Sequence, residues 1–338
     1  MKKRILITGG AGFIGLHLAR RLAGESSSRL TLVDDFSRGH RDHELEGVLS
    51  HGNVDLIDAD LTRPNAWSSV GVGFDEVYHL AAVIGVKNVI DRPQEVIRVN
   101  ALSTLHLLDW FVRGGGKKIL FSSTSETYAW TQRFHELTFP TPEDVPLALT
   151  DLSDPRSSYA GSKIFGELAV THYCRASEKR FTIVRYHNVY GPRMGAEHVI
   201  PELYARAVAG QNPLVVYSPH HRRAFCYVSD AVEATVAAMR ATDADGGTFN
   251  VGNDQEETTI RSLAERIAER VEPRPTLEEA DAPNDPISRR CPDLNKTRAL
   301  LGYEPKVTLE QGLDLALAWY DARLRANAPQ TAGAVQAS

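Results

Sequence analysis

Between residues 4 and 22 the chain restricts its own fold more than anywhere else. Arg4–Thr8 is a short apolar strand, and Phe13–Leu22 has helical periodicity, with Ile14, Leu18 and Leu22 on one face. Joining them is Thr8-Gly9-Gly10-Ala11-Gly12-Phe13-Ile14-Gly15. A glycine turn from strand into helix brings backbone N–H groups to the helix N-terminus, where the dipole favours an anion such as a pyrophosphate. Gly15 lets the helix lie close to the sheet. A GxGxxG run is weak alone; its context here is a strand before, a helix after and an acid following a second strand, Leu30–Val33. Asp34 and Asp35 occupy that acidic position. A carboxylate there accepts hydrogen bonds from the adenosine ribose and repels a 2′-phosphate, which favours NAD over NADP, with Arg38 nearby as an opposing cation. Asp60-Leu61 ends the third strand, Val54–Ala59, within reach of an adenine.

The same alternation continues. Strands are expected at Glu76–Ala81, Lys118–Ser122 and Phe181–Arg185, and helices at Val96–Phe111 and Tyr159–Cys174. Alternating strands and helices predict an α/β fold, a Rossmann-type doubly wound parallel sheet with helices on both faces. Trp130–Pro155, with Pro140, Pro142, Pro146 and Pro155, reads as a long functional loop. Beyond Gly191 the pattern suits a smaller α/β substrate region. Helices are expected near Pro201–Ala209, Val228–Arg240, Ile260–Val271 and Leu309–Arg325. The two regions are interleaved in this reading. Residues 1–185 with about 223–255 form the cofactor domain, and about 186–222 with 256–325 the substrate domain. Residues 326–338, rich in Ala, Pro, Gln and Ser, read as a disordered tail.

Composition narrows the function. The 338 residues carry 38 Lys+Arg against 43 Asp+Glu, a net charge of −5, without the basic surplus of a nucleic-acid binder. No apolar run of about 18 residues occurs, so no membrane span is expected. Cys174, Cys226 and Cys291 stand far apart, and no Cys/His spacing suggests a metal site. Unpaired thiols and the absence of a signal-peptide core point to the cytoplasm.

Tyr159 and Lys163 are four residues apart, on one face of the expected helix. A neighbouring ammonium lowers a phenol's pKa and makes Tyr159 a usable base. Upstream, the strand ending in Ser122-Ser123-Thr124-Ser125-Glu126 places hydroxyls where a doubly wound sheet puts its chemistry. With these residues the chain resembles the extended short-chain dehydrogenase/reductases that modify nucleotide sugars: epimerases, dehydratases and decarboxylases. The likeness covers about residues 3–322. It rests on the glycine turn, Asp34, Asp60-Leu61, His79-Leu80-Ala81-Ala82, Asn100, Tyr159/Lys163, Asn188 in HNVYGPRM and Arg223 in RAFCYVSD.

The resemblance implies a first step shared by the group, oxidation of sugar C4 by tightly held NAD while Tyr159 takes the hydroxyl proton. It further implies that Gly9, Gly12, Phe13, Ile14, Gly15, Asp34, Asp60 and Leu61 hold the cofactor, with Leu80, Ala81, Ala82, Asn100 and Ser122 beside them. Lys163 would hold the nicotinamide ribose. Thr124 would position the 4-hydroxyl, and Ser125 and Glu126 would manage a C5 proton or a carboxylate. Asn188 and Arg223 match diphosphate contacts. Arg290 matches an arginine that meets a uronate carboxylate, for which a guanidinium fork is suited.

Thr124-Ser125-Glu126 resembles both UDP-glucuronate decarboxylases and GDP-mannose 4,6-dehydratases, and the stretches Gly191–Met194, Arg223–Asp230 and Asp285-Pro286 to Asp293 lean toward the decarboxylases. A 4-epimerase acting on a neutral UDP-sugar or on UDP-glucuronate, and a 4,6-dehydratase, are the alternatives. A non-catalytic NAD-binding sensor is the remote one. Ala129, the length of Trp130–Pro155, Val83–Lys87 and Ser218-Pro219-His220 depart from the decarboxylase pattern and bear on the sugar. The resemblance also implies a homodimer paired through the helices around Asn100–Phe111 and Tyr159–Cys174.

Overall fold

The computed structural model describes residues 2–133, 136–281 and 288–327. Lys3–Thr8 (β1) is buried on both sides, as a parallel central strand must be: Ile5, Leu6 and Ile7 expose no surface. Ile5 and Ile7 join one hydrophobic core and Leu6 the other, following the two-residue repeat of a strand. Ser28–Asp34 (β2), Val54–Asp58 (β3), Phe74–His79 (β4), Gly116–Thr124 (β5), Arg180–Tyr186 (β6) and Thr248–Val251 (β7) complete a seven-stranded sheet. Its order is β7-β6-β5-β4-β1-β2-β3, and every pairing is parallel. Phe13–Ala23 (α1) and Val228–Arg240 (α4) contribute to the core on one face. Pro93–Trp110 (α2) and Ser157–Ala176 (α3) contribute to the core on the other.

The chain winds outward from β1 to β3 and then returns to place β4 on the other side of β1. That reversal opens a crevice beyond the carboxyl ends of β1 and β4, where doubly wound sheets bind ligands.

The strands and helices expected in the first half are present, with shifted ends. α2 begins at Pro93, because proline suits a first helical turn, where its missing N–H has no partner to lose. The second half adds strands that periodicity does not reveal, since pieces such as Arg222–Ala224, Glu257–Thr259 and Arg289–Arg290 are too short for a repeat.

Trp130–Pro155 is not one free loop. It opens with a 3-10 turn over Trp130–Arg133 and is fastened to β7 through Asn250. The Asn250 amide donates to the carbonyls of Thr141 and Asp293, and its backbone N–H donates to Glu143 Oε1. The Thr141 N–H donates to the Cys291 carbonyl at 2.8 Å, which secures the segment just after Arg290. Among the described residues no helix is long and apolar enough to cross a membrane. Asp285, Pro286 and, of the expected tail, residues 328–338 lie outside the described residues.

Candidate active site

The crevice is a cavity of about 820 Å³ that runs from the glycine turn to Arg290. Gly9 has φ +70°, and a Cβ there would stand 2.8 Å from the Ala81 nitrogen. A Cβ on Gly15 would stand 2.0 Å from the Gly9 carbonyl oxygen. Only glycine lets the turn sit this tightly between β4 and α1. No side chain caps α1 at Gly12, which leaves its first N–H groups for a phosphate. Phe13, Ile14, Asp60, Leu61, Leu80, Ala81 and Ala82 line the same end.

Asp34 closes β2 and accepts hydrogen bonds from the N–H groups of Ala11 (3.0 Å) and Phe36 (2.9 Å). Burial raises its carboxyl pKa against those two donors. It therefore secures the glycine turn as well as lining the cavity. Asp60 is engaged by its own turn, accepting from the backbone and hydroxyl of Thr62.

Asn100 also has a structural task. It is absent from the cavity wall, and its side chain is engaged by the protein itself. Oδ1 accepts from Val83 N–H at 2.7 Å, while the NH2 group donates to the Val83 carbonyl and to Ser162 Oγ. Asn100 thus holds the segment after β4 against α3, which makes it a positioning residue. His79 has a similar place. Its ring bridges Thr8 Oγ1 (2.8 Å) and Thr104 Oγ1 (3.2 Å), and burial, with Lys163 nearby, pushes its pKa down to about 3.

At the other end, Ser122, Thr124, Ser125, Glu126, Tyr159, Lys163, Asn188, Arg223 and Arg290 all line the cavity. β5 delivers the hydroxyls and α3 the Tyr/Lys pair. Thr124 stands close enough to Tyr159 to oppose the rise in the phenol's pKa. The Lys163 ammonium donates to the Ser122 carbonyl at 2.8 Å, lies 5.0 Å from the Phe121 ring centre and 6.0 Å from that of Tyr159.

This corrects the expected electrostatics of the pair. Burial, and after it the Glu126 carboxylate, raise the Tyr159 pKa above its ordinary value, opposed by Thr124 and Arg38. Burial also pushes Lys163 down to about 8, opposed by Glu167. The ammonium is tied to the strand, and desolvation of the phenol prevails.

Arg222–Ala224 and Arg289–Arg290 pair in parallel with Arg223 opposite Arg290, so two guanidinium groups enter the cavity from adjacent strands. Arg290 Nη1 lies 2.5 Å from Glu126 Oε1. Asn188 holds φ +40°, a left-handed conformation that asparagine tolerates, and its NH2 donates to the Ala224 carbonyl.

Sequence reasoning missed the support beneath these residues. Glu167, one helical turn beyond Lys163, accepts from Ser123 Oγ at 2.5 Å and from Arg185 through Nε at 2.9 Å and Nη2 at 2.6 Å. Arg185 Nη1 donates to Tyr128 OH at 2.8 Å, and that hydroxyl donates to Asn250 Oδ1 at 2.9 Å. All five side chains are buried. The network joins β5, α3, β6 and β7 behind the cavity. The i,i+4 spacing of Lys163 and Glu167 is its only trace in the sequence.

Residues 5–252 match the model of the NAD dependent epimerase/dehydratase family. The chain belongs to that family. NAD is the cofactor, and the glycine cradle, the uncapped α1 and Asp34 suit it. A UDP-N-acetyl-alpha-D-glucosaminuronate decarboxylase of Bacillus cytotoxicus is 35% identical over 329 residues, covering 95% of this chain and 98% of that protein. UDP-glucuronic acid decarboxylase 3 of Arabidopsis thaliana is 34% identical over 97% of this chain and 91% of its own length. Among solved structures, a tyrosine-to-phenylalanine variant of the UDP-glucuronic acid 4-epimerase of Bacillus cereus superposes with a TM-score of 0.84 at 25% identity. It covers 95% of this chain and 99% of that one, and it holds UDP-4-deoxy-4-fluoro-glucuronic acid and NAD.

Proposed function

We propose that this family member decarboxylates a nucleotide-linked uronic acid, with UDP-glucuronate the first candidate substrate. The observation that carries the reading is the Glu126–Arg290 pair, set in the same cavity as Thr124 and Tyr159. An enzyme that only inverts C4 needs no carboxylate there, whereas one that removes a C5 carboxylate needs a guanidinium to hold it and a group to manage the C5 proton. A substrate carboxylate competes with Glu126 for Arg290, and that exchange delivers Glu126 to the reacting carbon.

The chemistry follows from the positions. NAD, held by the glycine turn, Asp34 and Lys163, would supply reversible hydride chemistry at C4. Tyr159 takes the 4-hydroxyl proton, with Thr124 orienting that hydroxyl and Lys163 holding the ribose. The C6 carboxylate is then β to a ketone. The C5–C6 bond breaks, CO2 leaves, and the electron pair moves onto the 4-keto oxygen, where Tyr159 donates a hydrogen bond. Glu126 or Ser125 delivers the proton to C5. Asn188 and Arg223 hold the diphosphate. In this reading residues 1–185 with 223–255 serve the cofactor, and 186–222 with 256–325 the sugar nucleotide.

Incubation with NAD and UDP-glucuronate labelled in its carboxylate tests the assignment. Labelled CO2 and a UDP-pentose, or its 4-keto form, are expected. A uronate epimer of unchanged mass would instead assign 4-epimerisation, the reading favoured by the Bacillus cereus likeness.

The protein in this reading is a cytoplasmic homodimer. Buried free thiols at Cys174, Cys226 and Cys291 fit a reducing compartment. α2 and α3 expose Ile97, Phe165 and Leu168 at 49%, 39% and 56%, an apolar face suited to a second copy. Light scattering is expected to give the dimer mass, and Leu168→Asp the monomer mass. A monomeric wild type would contradict this.

A further inference from the structure

Arg38 follows β2, and it is half-buried in the cavity wall. Its Nη1 donates at 2.7 Å to the carbonyl of Ile84, which follows β4. β2 and β4 are the two neighbours of β1 in the sheet. A side chain that joins the segments beyond them bridges the two flanks of β1, whose glycine turn lines the same cavity.

A third segment meets the same group. Cβ atoms built on Gly85 and on Gly195, from the stretch after β6, would stand 3.7 Å and 3.4 Å from Arg38 Nη2. Glu197 acts on the guanidinium through space, and among the described residues its one hydrogen bond is to a carbonyl. Its charge is only partly compensated in a cavity whose floor is built for an anion. Arg41, in contrast, stacks on Phe36 and pairs with Asp58 at 3.2 Å.

We propose that Arg38 is a cofactor-retaining residue, a bar across the mouth of the dinucleotide site whose guanidinium pairs with the pyrophosphate from the side opposite the glycine turn. A partly desolvated guanidinium is suited to a phosphate pair. The chemistry gives retention a purpose, because a hydride removed from C4 has to be returned to the same sugar. NADH lost in between ends the turnover. The placement of Arg38 rests on NAD as cofactor; this purpose alone rests on the proposed reaction.

The test needs no sugar. The full-length protein is loaded with NADH, chased with excess NAD, and the fall in bound-NADH fluorescence gives the dissociation rate. Arg38→Ala and Arg38→Met, which keeps the aliphatic stem, are expected to release NADH about tenfold to a hundredfold faster. Arg38→Lys is expected to fall between them and the wild type. If Arg38→Ala fails to fold, Arg38→Met decides. Wild-type release rates in the variants would overturn the proposal. So would weakened NADP binding with NAD binding unchanged, which would make Arg38 a 2′-phosphate ligand. Failure to release CO2 from UDP-glucuronate would leave this result untouched.

Discussion

Tyr159→Phe is expected to lower kcat by about 10²–10⁴-fold, the usual contribution of a positioned general base. The substitution removes one oxygen and keeps the ring that fills the cavity wall. The 4-hydroxyl proton then has nowhere to go. Lys163 does not take over, because its ammonium is held by the Ser122 carbonyl. Steady-state product formation and the single-turnover appearance of NADH absorbance on adding sugar nucleotide both report the loss. A rate within tenfold of the wild type would remove Tyr159 from the role of base and raise the sensor reading, in which the dinucleotide is bound without chemistry.

Arg185→Met is expected to cost about 3–5 kcal/mol of stability in a denaturant titration. The substitution leaves Glu167 buried with the Ser123 hydroxyl but without its bidentate cation, and leaves Tyr128 without a donor. Combining it with Glu167→Met replaces the whole pair by apolar side chains, which is often close to neutral, so most of the stability should return. Activity should not return with it. Ser123 adjoins Thr124 and Glu167 lies one turn beyond Lys163, so the double variant no longer fixes β5 against α3. Stability recovered together with full kcat would show that the network only holds the core.

The two ends of the cavity were unequally legible in the sequence. The glycine turn, Asp34 and the Tyr159/Lys163 spacing are local patterns, so each could be placed from a few neighbouring residues. The parallel sheet was legible for the same reason, since its strands are apolar runs between helical repeats. What joins distant segments was not. Asn100 holds Val83, a partner that only the packing of α2 beside β4 brings near. The Glu167–Arg185–Tyr128–Asn250 network spans four elements, and no spacing announces it. The electrostatics of Tyr159 failed from sequence because they depend on burial and on the Glu126 carboxylate, neither of which a four-residue spacing contains. Arg290 was singled out by motif, but its contact with Glu126 required the strand Arg289–Arg290 to lie beside Arg222–Ala224.

Decarboxylation through a 4-keto sugar is tested most directly by one reaction in deuterium oxide, with NAD and UDP-glucuronate, read by mass spectrometry and proton NMR. The expected product is a UDP-pentose that has lost CO2, carries a solvent deuteron at C5 and retains its own hydrogen at C4. That pattern requires C5–C6 cleavage, protonation at C5 and return of the same hydride. A uronate of unchanged mass with C4 inverted would contradict the decarboxylase assignment, and a pentose carrying solvent deuterium at C4 would contradict the internal hydride return.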